Sequence, residues 1–112
     1  MKRFNIKDMK GGWFIGDFDP AVYKTNKFEV CYKKHPKGEK WPVHYHKKAT
    51  EINYLIKGQM SIQGSRINPG DIFILEPYEL ADPIFLEDCE LIVIKTPSFT
   101  NDKYEVCEVD NK

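Results

Sequence analysis

Short apolar runs separated by turn residues recur along the whole chain, and this pattern limits the fold more than any other feature. The runs are rich in Val, Ile, Phe and Tyr and lie at residues 13–15, 28–32, 43–45, 52–56, 59–63, 72–75, 84–86, 91–95 and 104–109. Turn-forming Gly, Pro, Asn and Asp residues separate them. Because no stretch of useful length has a helical period, the sequence predicts an all-β fold, either a sandwich or a small barrel.

Length and charge narrow the class of protein. A chain of 112 residues is long enough for one hydrophobic core and is expected to form a single domain, residues 1–112. Its 17 basic and 17 acidic residues balance, and they form no basic stripe of the kind that nucleic acid requires. The apolar runs are far too short to cross a bilayer, so neither nucleic acid nor a membrane is expected as a partner.

The N-terminal segment and the cysteines both bear on the cellular compartment of the protein. Residues 1–8 lack the apolar core of a signal peptide, which predicts a cytoplasmic protein. Cys31, Cys89 and Cys107 are odd in number and widely separated. We therefore expect them to be reduced, partly buried strand residues. A catalytic thiol is the less favoured alternative, because nothing in the sequence places a base beside any of them.

Three potential metal ligands stand between two glycines in residues 38–58. His44 and His46 are two residues apart, so on a strand both point to the same face. Glu51 follows five residues later, immediately before an apolar run. Two imidazoles and a carboxylate that converge on one point can hold a divalent transition metal and leave coordination positions open. Alternation on the next strand predicts that Asn53 shares the inward face with Glu51.

With this spacing the sequence resembles the first signature of the cupin superfamily, Gly-x5-His-x-His-x4-Glu-x6-Gly, which begins at Gly38 and ends at Gly58. Residues 68–82 look like the second signature, with a Pro-Gly-Asp opening, an apolar strand and a proline turn. The two signatures and the strands beside them cover about residues 28–95. The resemblance implies a small single-domain cupin, which is a double-stranded β-helix or jelly-roll barrel with a small-molecule pocket in its mouth.

The end of the second signature departs from the family pattern. Ala81 stands where cupins usually supply a third histidine, and Phe85 aligns with a downstream asparagine. Asp82 is the nearest residue able to replace the missing ligand, although this requires a shift of one position. It either completes a set of four metal ligands with the two histidines and Glu51, or only marks the turn before Pro83.

These residues define a predicted site. The metal is expected to be divalent Fe, Mn, Ni, Zn or Cu. Asn53 and Tyr54 follow Glu51 and are candidates for substrate binding, and Lys95 at a strand end is a candidate contact for an anionic group. His35 lies outside the signature beside a proline and is predicted to lie in a surface loop.

The resemblance and the ligand set predict a metal-dependent enzyme that acts on a small polar metabolite. Oxygenase and sugar or sugar-phosphate isomerase are the leading reaction classes, the second by analogy with small cupins of carbohydrate metabolism. The alternative is a non-catalytic barrel that binds a small molecule and has a structural metal or none, which the absent third histidine supports. Because cupins tend to pair through sheet edges and terminal strands, a homodimer framed by residues 1–10 and 98–112 is expected.

Overall fold

The computed structural model describes residues 1–106 of the 112-residue chain. Within them, two short 3-10 turns, Ile6–Asp8 and Lys10–Gly12, precede a series of strands. The strands are β1 (Trp13–Gly16), β2 (Tyr23–Lys24), β3 (Glu29–His35), β4 (His44–Tyr45), β5 (Thr50–Lys57), β6 (Met60–Ile62), β7 (Ser65–Ile67), β8 (Ile72–Leu75), β9 (Ile84–Phe85), β10 (Cys89–Thr96) and β11 (Tyr104–Glu105). The all-β prediction is confirmed for the described part of the chain.

Six strands form one large sheet, in the spatial order β2-β1-β3-β10-β5-β8. Its long central strand, β10, pairs antiparallel with β3 on one side and β5 on the other. A three-stranded sheet, β7-β6-β9, packs against it: Met60 and Phe85 of the small sheet meet Cys31 and Leu55 of the large one. The strand pair β11-β4 completes the wall on the same side as the small sheet. The interior therefore lies between the two sheets.

Side chains of the large sheet alternate between an inner face, directed at this interior, and an outer face. The inner face carries Glu29, Cys31, Lys33 and His35 of β3, Glu51, Asn53 and Leu55 of β5, Phe73 and Leu75 of β8, and Leu91, Val93 and Lys95 of β10. The outer face carries Val30, Tyr32, Ile52, Tyr54, Ile56, Ile72, Ile74, Ile92 and Ile94. On β5 and β10 the inner face changes along the strands from apolar (Leu55, Leu91) to polar (Glu51, Lys95).

A glycine closes the first signature because the backbone allows no other residue there. Gly58 has a φ of +83°, in the left-handed region that favours glycine. A Cβ at this position would lie only 2.2 Å from the carbonyl oxygen of Asp88. The turn after β5 therefore packs directly on the backbone that leads into β10.

Backbone pairing between strands extends one strand beyond its apolar run and creates two strands that the apolar pattern does not predict. β3 continues to His35 because β10 pairs with it as far as Cys89. The short strands β2 and β7 were not predicted, since their side chains are mostly exposed and include Lys24 and Arg66. Residues 107–109 of the last predicted strand, and Cys107, lie outside the described residues.

The two described cysteines agree with the sequence prediction. Cys31 and Cys89 are free and buried within β3 and β10. Burial raises the pKa of the Cys31 thiol to about 11, so at neutral pH it is a protonated, unreactive core residue. Residues 1–106 also contain no helix that is both long and apolar enough to cross a membrane.

Candidate metal and substrate site

A cavity of about 220 Å³ opens from the interior of the barrel between the large sheet and β4. Its wall contains the polar side chains of His35, His44, His46, Glu51 and Asn53, and those of Lys33, Lys95 and Lys103. Trp13, Trp41, Phe73 and Phe85 supply much of the apolar wall. The cavity is smaller than most drug-binding pockets, which span roughly 300–1,000 Å³, so its size suits a small metabolite.

The strand that carries the first histidine is held on both sides. His44 exchanges two backbone hydrogen bonds with Ala81, with N···O distances of 3.1 and 2.7 Å. On the other side β4 pairs with β11, where Glu105 lies opposite His44. Because β4 has only two residues, these neighbours rather than its own length fix the direction of the imidazole.

The two imidazoles stand close together and are nearly perpendicular. Their ring centroids are 5.5 Å apart with an interplanar angle of 82°. Nδ1 of His44 lies 3.1 Å from the carbonyl oxygen of Pro42, and since a carbonyl only accepts, Nδ1 carries the proton and Nε2 keeps its lone pair in the neutral ring. His46 is 5% exposed, and its Nε2 is buried without a hydrogen-bond partner among the described residues.

The acidic residue of the signature is oriented by its neighbour on the same face. The Asn53 amide donates to Oε2 of Glu51 across 3.0 Å. The other carboxylate oxygen, Oε1, lies 3.6 Å from Nδ1 of His46. Glu51 thus stands between the amide and the second imidazole, at the polar end of the inner face.

Burial keeps both histidines neutral at physiological pH. It lowers the pKa of His44, more than the hydrogen bond to Pro42 raises it. It also lowers the pKa of His46, to about 4, and the nearby Lys95 ammonium adds to this effect. Neutral imidazole is the form that binds metal ions.

The chemistry of these donors fits a divalent transition metal. Two neutral imidazoles with free Nε2 atoms and one carboxylate are typical ligands for such an ion, and the buried, unpartnered Nε2 of His46 lacks any other polar contact. In the part of the chain that the structure describes, however, no three His, Cys, Asp or Glu side chains converge on one point. The Glu51 carboxylate faces Nδ1 of His46 instead.

Residues 81 and 82 take different positions relative to the cavity. Ala81 lies directly opposite His44 and lines the cavity, so the position of the third histidine in the resemblance is occupied by a methyl group. Asp82 is not part of the cavity wall. Its Oδ1 accepts a hydrogen bond from the backbone N–H of Gln63 across 2.7 Å. This hydrogen bond stabilises the turn between β6 and β7. The structure does not bring Asp82 to the other predicted ligands.

Of the three residues predicted to bind substrate, two line the cavity and one does not. Asn53 and Lys95 line the cavity. The prediction for Tyr54 is corrected: its side chain is 43% exposed on the outer face, beside Ile72 and Ile92 in the strand register. Since Asn53 points inward, its neighbour must point outward.

His35, Lys33 and Lys103 belong to the cavity wall but were not predicted there. His35 was predicted in a surface loop, but it ends β3, stacks on Phe85 with ring centroids 4.1 Å apart, and lines the cavity. Lys33 lies two residues earlier on the same face, and this alternation was the available signal. Lys103 reaches the wall from the segment before β11, which no local pattern indicates.

Asp102 holds the loop between the histidines and Glu51. This buried carboxylate accepts hydrogen bonds from the backbone N–H groups of Lys47, Lys48 and Ala49, at 2.9–3.3 Å. Burial alone would raise the pKa of Asp102, but the three N–H donors together lower it below its usual value. The ionised carboxylate therefore positions the loop of the first signature from a distant part of the sequence.

The fold is that of known cupin structures. An uncharacterised conserved protein with a double-stranded β-helix domain from Klebsiella pneumoniae superposes with a TM-score of 0.68 at 18% identity, over 96% of this chain and 92% of that one. KdgF from Halomonas superposes with a TM-score of 0.61 at 23% identity, over 69% and 74%. Pac13 from Streptomyces, a nucleoside dehydratase whose structure was determined with uridine, gives 0.70 at 12% identity, over 96% and 92%.

These similarities establish the fold. The chain folds as a single cupin domain, a double-stranded β-helix, as the two signatures imply. No protein-family model and no curated protein matches the sequence. Proteins of similar structure include a DMSP lyase and a nucleoside dehydratase, so the fold alone does not define an activity.

Proposed function

We propose that this protein is a metal-dependent cupin enzyme that acts on a small polar metabolite in the barrel cavity. His44, His46 and Glu51 would hold a divalent transition metal, one of Fe, Mn, Ni, Zn or Cu. The observation that carries the proposal is the buried, unpartnered Nε2 of His46 beside a second neutral imidazole. An unsatisfied buried polar atom is costly, and a ligand removes that cost.

The protein's own residues prepare this site. The Pro42 carbonyl fixes the tautomer of His44 and directs its free Nε2 away from the backbone. Asn53 orients the Glu51 carboxylate, and the apolar walls exclude water from the imidazoles. A bound metal would polarise an oxygen of the metabolite or bind dioxygen. Sugar or sugar-phosphate isomerisation and oxygenation are the reaction classes that we propose to test.

A second candidate function follows from Ala81. Because a methyl group occupies the place of the third histidine, and because no third donor converges on the imidazoles within residues 1–106, a barrel that binds a small molecule without catalysis is the alternative. In that case the metal is structural or absent.

The deciding experiment measures metal content and metal affinity in matched variants. We expect near-stoichiometric metal in the wild-type protein, its loss in His46→Ala, and a weaker affinity in Glu51→Gln. His35→Ala is the control, since His35 lines the same cavity but lies outside the ligand set. If none of these proteins takes up metal after reconstitution, the non-catalytic alternative replaces the first proposal. If Glu51→Gln retains full affinity, the carboxylate only orients His46.

We also propose that the protein is a cytoplasmic homodimer. Cys31 and Cys89, which are free and buried, are compatible with a reducing compartment. The outer face of the large sheet presents two apolar rows across four strands, Ile74-Ile52-Ile94-Val30 and Ile72-Tyr54-Ile92-Tyr32. A second copy of this chain is the proposed occupant, because a two-fold axis can place the same pair of rows on both sides of one interface.

A further inference from the structure

Three lysines reach the cavity wall from three separate parts of the chain: Lys33 on β3, Lys95 on β10 and Lys103 before β11. Their ammonium groups lie over the rings of two tryptophans in the same wall. Lys33 and Lys95 approach the Trp13 ring centroid at 5.9 and 5.1 Å, and Lys103 approaches that of Trp41 at 4.4 Å. Cation–π contacts of this kind hold each ammonium group beside a ring face.

Carboxylates balance the positive charge at the cavity only in part. Glu51 is the acidic residue of the wall, against three lysines, and the histidines there do not offset them. Glu29 lies beside Lys95 in the strand register, but it faces an adjoining cavity and accepts a hydrogen bond from Ser98. None of the three ammonium groups lies within 4.0 Å of a carboxylate of residues 1–106.

The lysines also disfavour one another. Burial lowers the pKa of Lys103, and repulsion from Lys95 lowers it further. A group of like charges with one shared opening is unfavourable by itself, and a bound anion would relieve the repulsion. The arrangement is therefore better explained by a ligand than by the stability of the fold.

We propose that the cavity binds a small organic anion, whose carboxylate or phosphate group lies between Lys33, Lys95 and Lys103. The uncharged part of the molecule extends toward His46, whose Nε2 is available to a polar atom. This inference rests on the proposed function, because it names the substrate class of the same site. The cavity volume of about 220 Å³ restricts the uncharged part to the size of a sugar or less.

The two tryptophans allow a direct test, since the chain contains only Trp13 and Trp41 and both line the cavity. The purified protein is titrated with glucose, glucose 6-phosphate and glucuronate, and the two indole N–H signals are followed by NMR. The three probes share a hexose body and differ in charge and in the source of the anion. We expect at least one anionic probe to bind about tenfold or more tightly than glucose, and its affinity to fall with added salt.

Matched variants identify the groups responsible. Lys103→Met and Lys95→Met keep most of the side-chain length and should each weaken binding of the anionic probe about tenfold. Lys34→Met, an exposed residue of β3, is the control and should leave binding unchanged. Thermal unfolding confirms that each variant is folded. Equal binding of all three probes, no response to either anion up to about 10 mM, or full affinity in Lys103→Met would overturn the inference.

Measuring the metal content of the same variants distinguishes failure of this inference from failure of the proposed function. Lys103→Met should retain its metal while losing the anion. His46→Ala should lose the metal but still respond to the anionic group. A protein that binds the anionic probe and no metal supports the inference within the non-catalytic alternative.

Discussion

Each face of the large sheet departs in part from the pattern of most half-buried sheets, which cover an apolar face and present a polar one to solvent. Here the inner face carries Glu29, Lys95 and Glu51 in one cross-strand row. The outer face presents isoleucines, with Ile72 65% and Ile74 52% exposed. Buried charged residues lower the stability of a barrel unless they are compensated. An exposed apolar stripe favours association with another molecule. Each departure from the usual pattern therefore agrees with one of the proposed binding surfaces, the cavity inside and the dimer interface outside.

The inner face of the large sheet should contribute much more to stability than the outer face. Leu55 is fully buried on the inner face, whereas Ile56, the next residue, is 40% exposed. We expect Leu55→Ala to lower the free energy of unfolding by about 4 kcal/mol and Ile56→Ala by less than about 1 kcal/mol. Urea unfolding of the two variants measures the difference. Similar losses would mean that the outer face is also part of a core.

The outer face is tested by placing charge in its apolar rows. Ile72→Glu combined with Ile74→Glu should raise the dimer dissociation constant about a hundredfold, roughly 3 kcal/mol, with little change in the unfolding of the monomer. Analytical ultracentrifugation measures the assembly. Glu87→Gln, at an exposed site away from both rows, serves as the control. A wild-type monomer, or a variant that remains dimeric, would remove this face from the proposal.

The loop between the histidines and Glu51 should be sensitive to acid through Asp102. Replacing its carboxylate in Asp102→Asn should lower the free energy of unfolding by about 2 kcal/mol at neutral pH, because hydrogen bonds to a charged acceptor are lost. Denaturant unfolding at several pH values measures this difference. The exposed Asp8→Asn is the control.

The direction of the pH effect follows from the pKa of Asp102. It is lowered on folding, so the carboxylate stabilises the folded state above its usual pKa of 3.8, and this contribution disappears as the pH falls through the lower folded value. The wild type and Asp102→Asn should therefore converge in stability only below pH 3.8. A difference that persists unchanged in stronger acid would show that packing, and not charge, is responsible.

A third imidazole introduced into the wall opposite the large sheet would test whether the two histidines bind a metal. Ala81 lies directly across from His44, so Ala81→His would place a third imidazole at the cavity. We expect an approximately tenfold gain in metal affinity, about 1.4 kcal/mol. Metal titration by calorimetry measures it, with Ala81→Leu as a control for bulk. If the histidine variant gains nothing over leucine, the imidazoles do not bind a metal.

Much of the fold and part of the site follow from the sequence because their signals are local. The two-residue spacing of His44 and His46 and the strand at residues 72–75 require only alternation and turn chemistry. Alternation also placed Asn53 at the cavity, whereas Lys95 was proposed as a contact because it ends its strand. Tyr54 was misassigned to the site, although the alternation that places Asn53 inside already directs its neighbour outward.

The rest depends on pairings between distant segments, which one sequence does not reveal. His35 reaches the cavity because β10 extends β3 beyond its apolar residues. Asp102 bonds to backbone groups more than 50 positions away. Lys103 enters the wall beside it, in a stretch whose composition predicts only an irregular polar segment.

The pairing of β4 with β11 makes the binding site depend on a contact that the large sheet does not need. β4 has only two residues and is braced by Tyr104 and Glu105. Neither β4 nor β11 belongs to the large sheet. Local opening of this pair would therefore loosen the first histidine of the site while the large sheet stays paired.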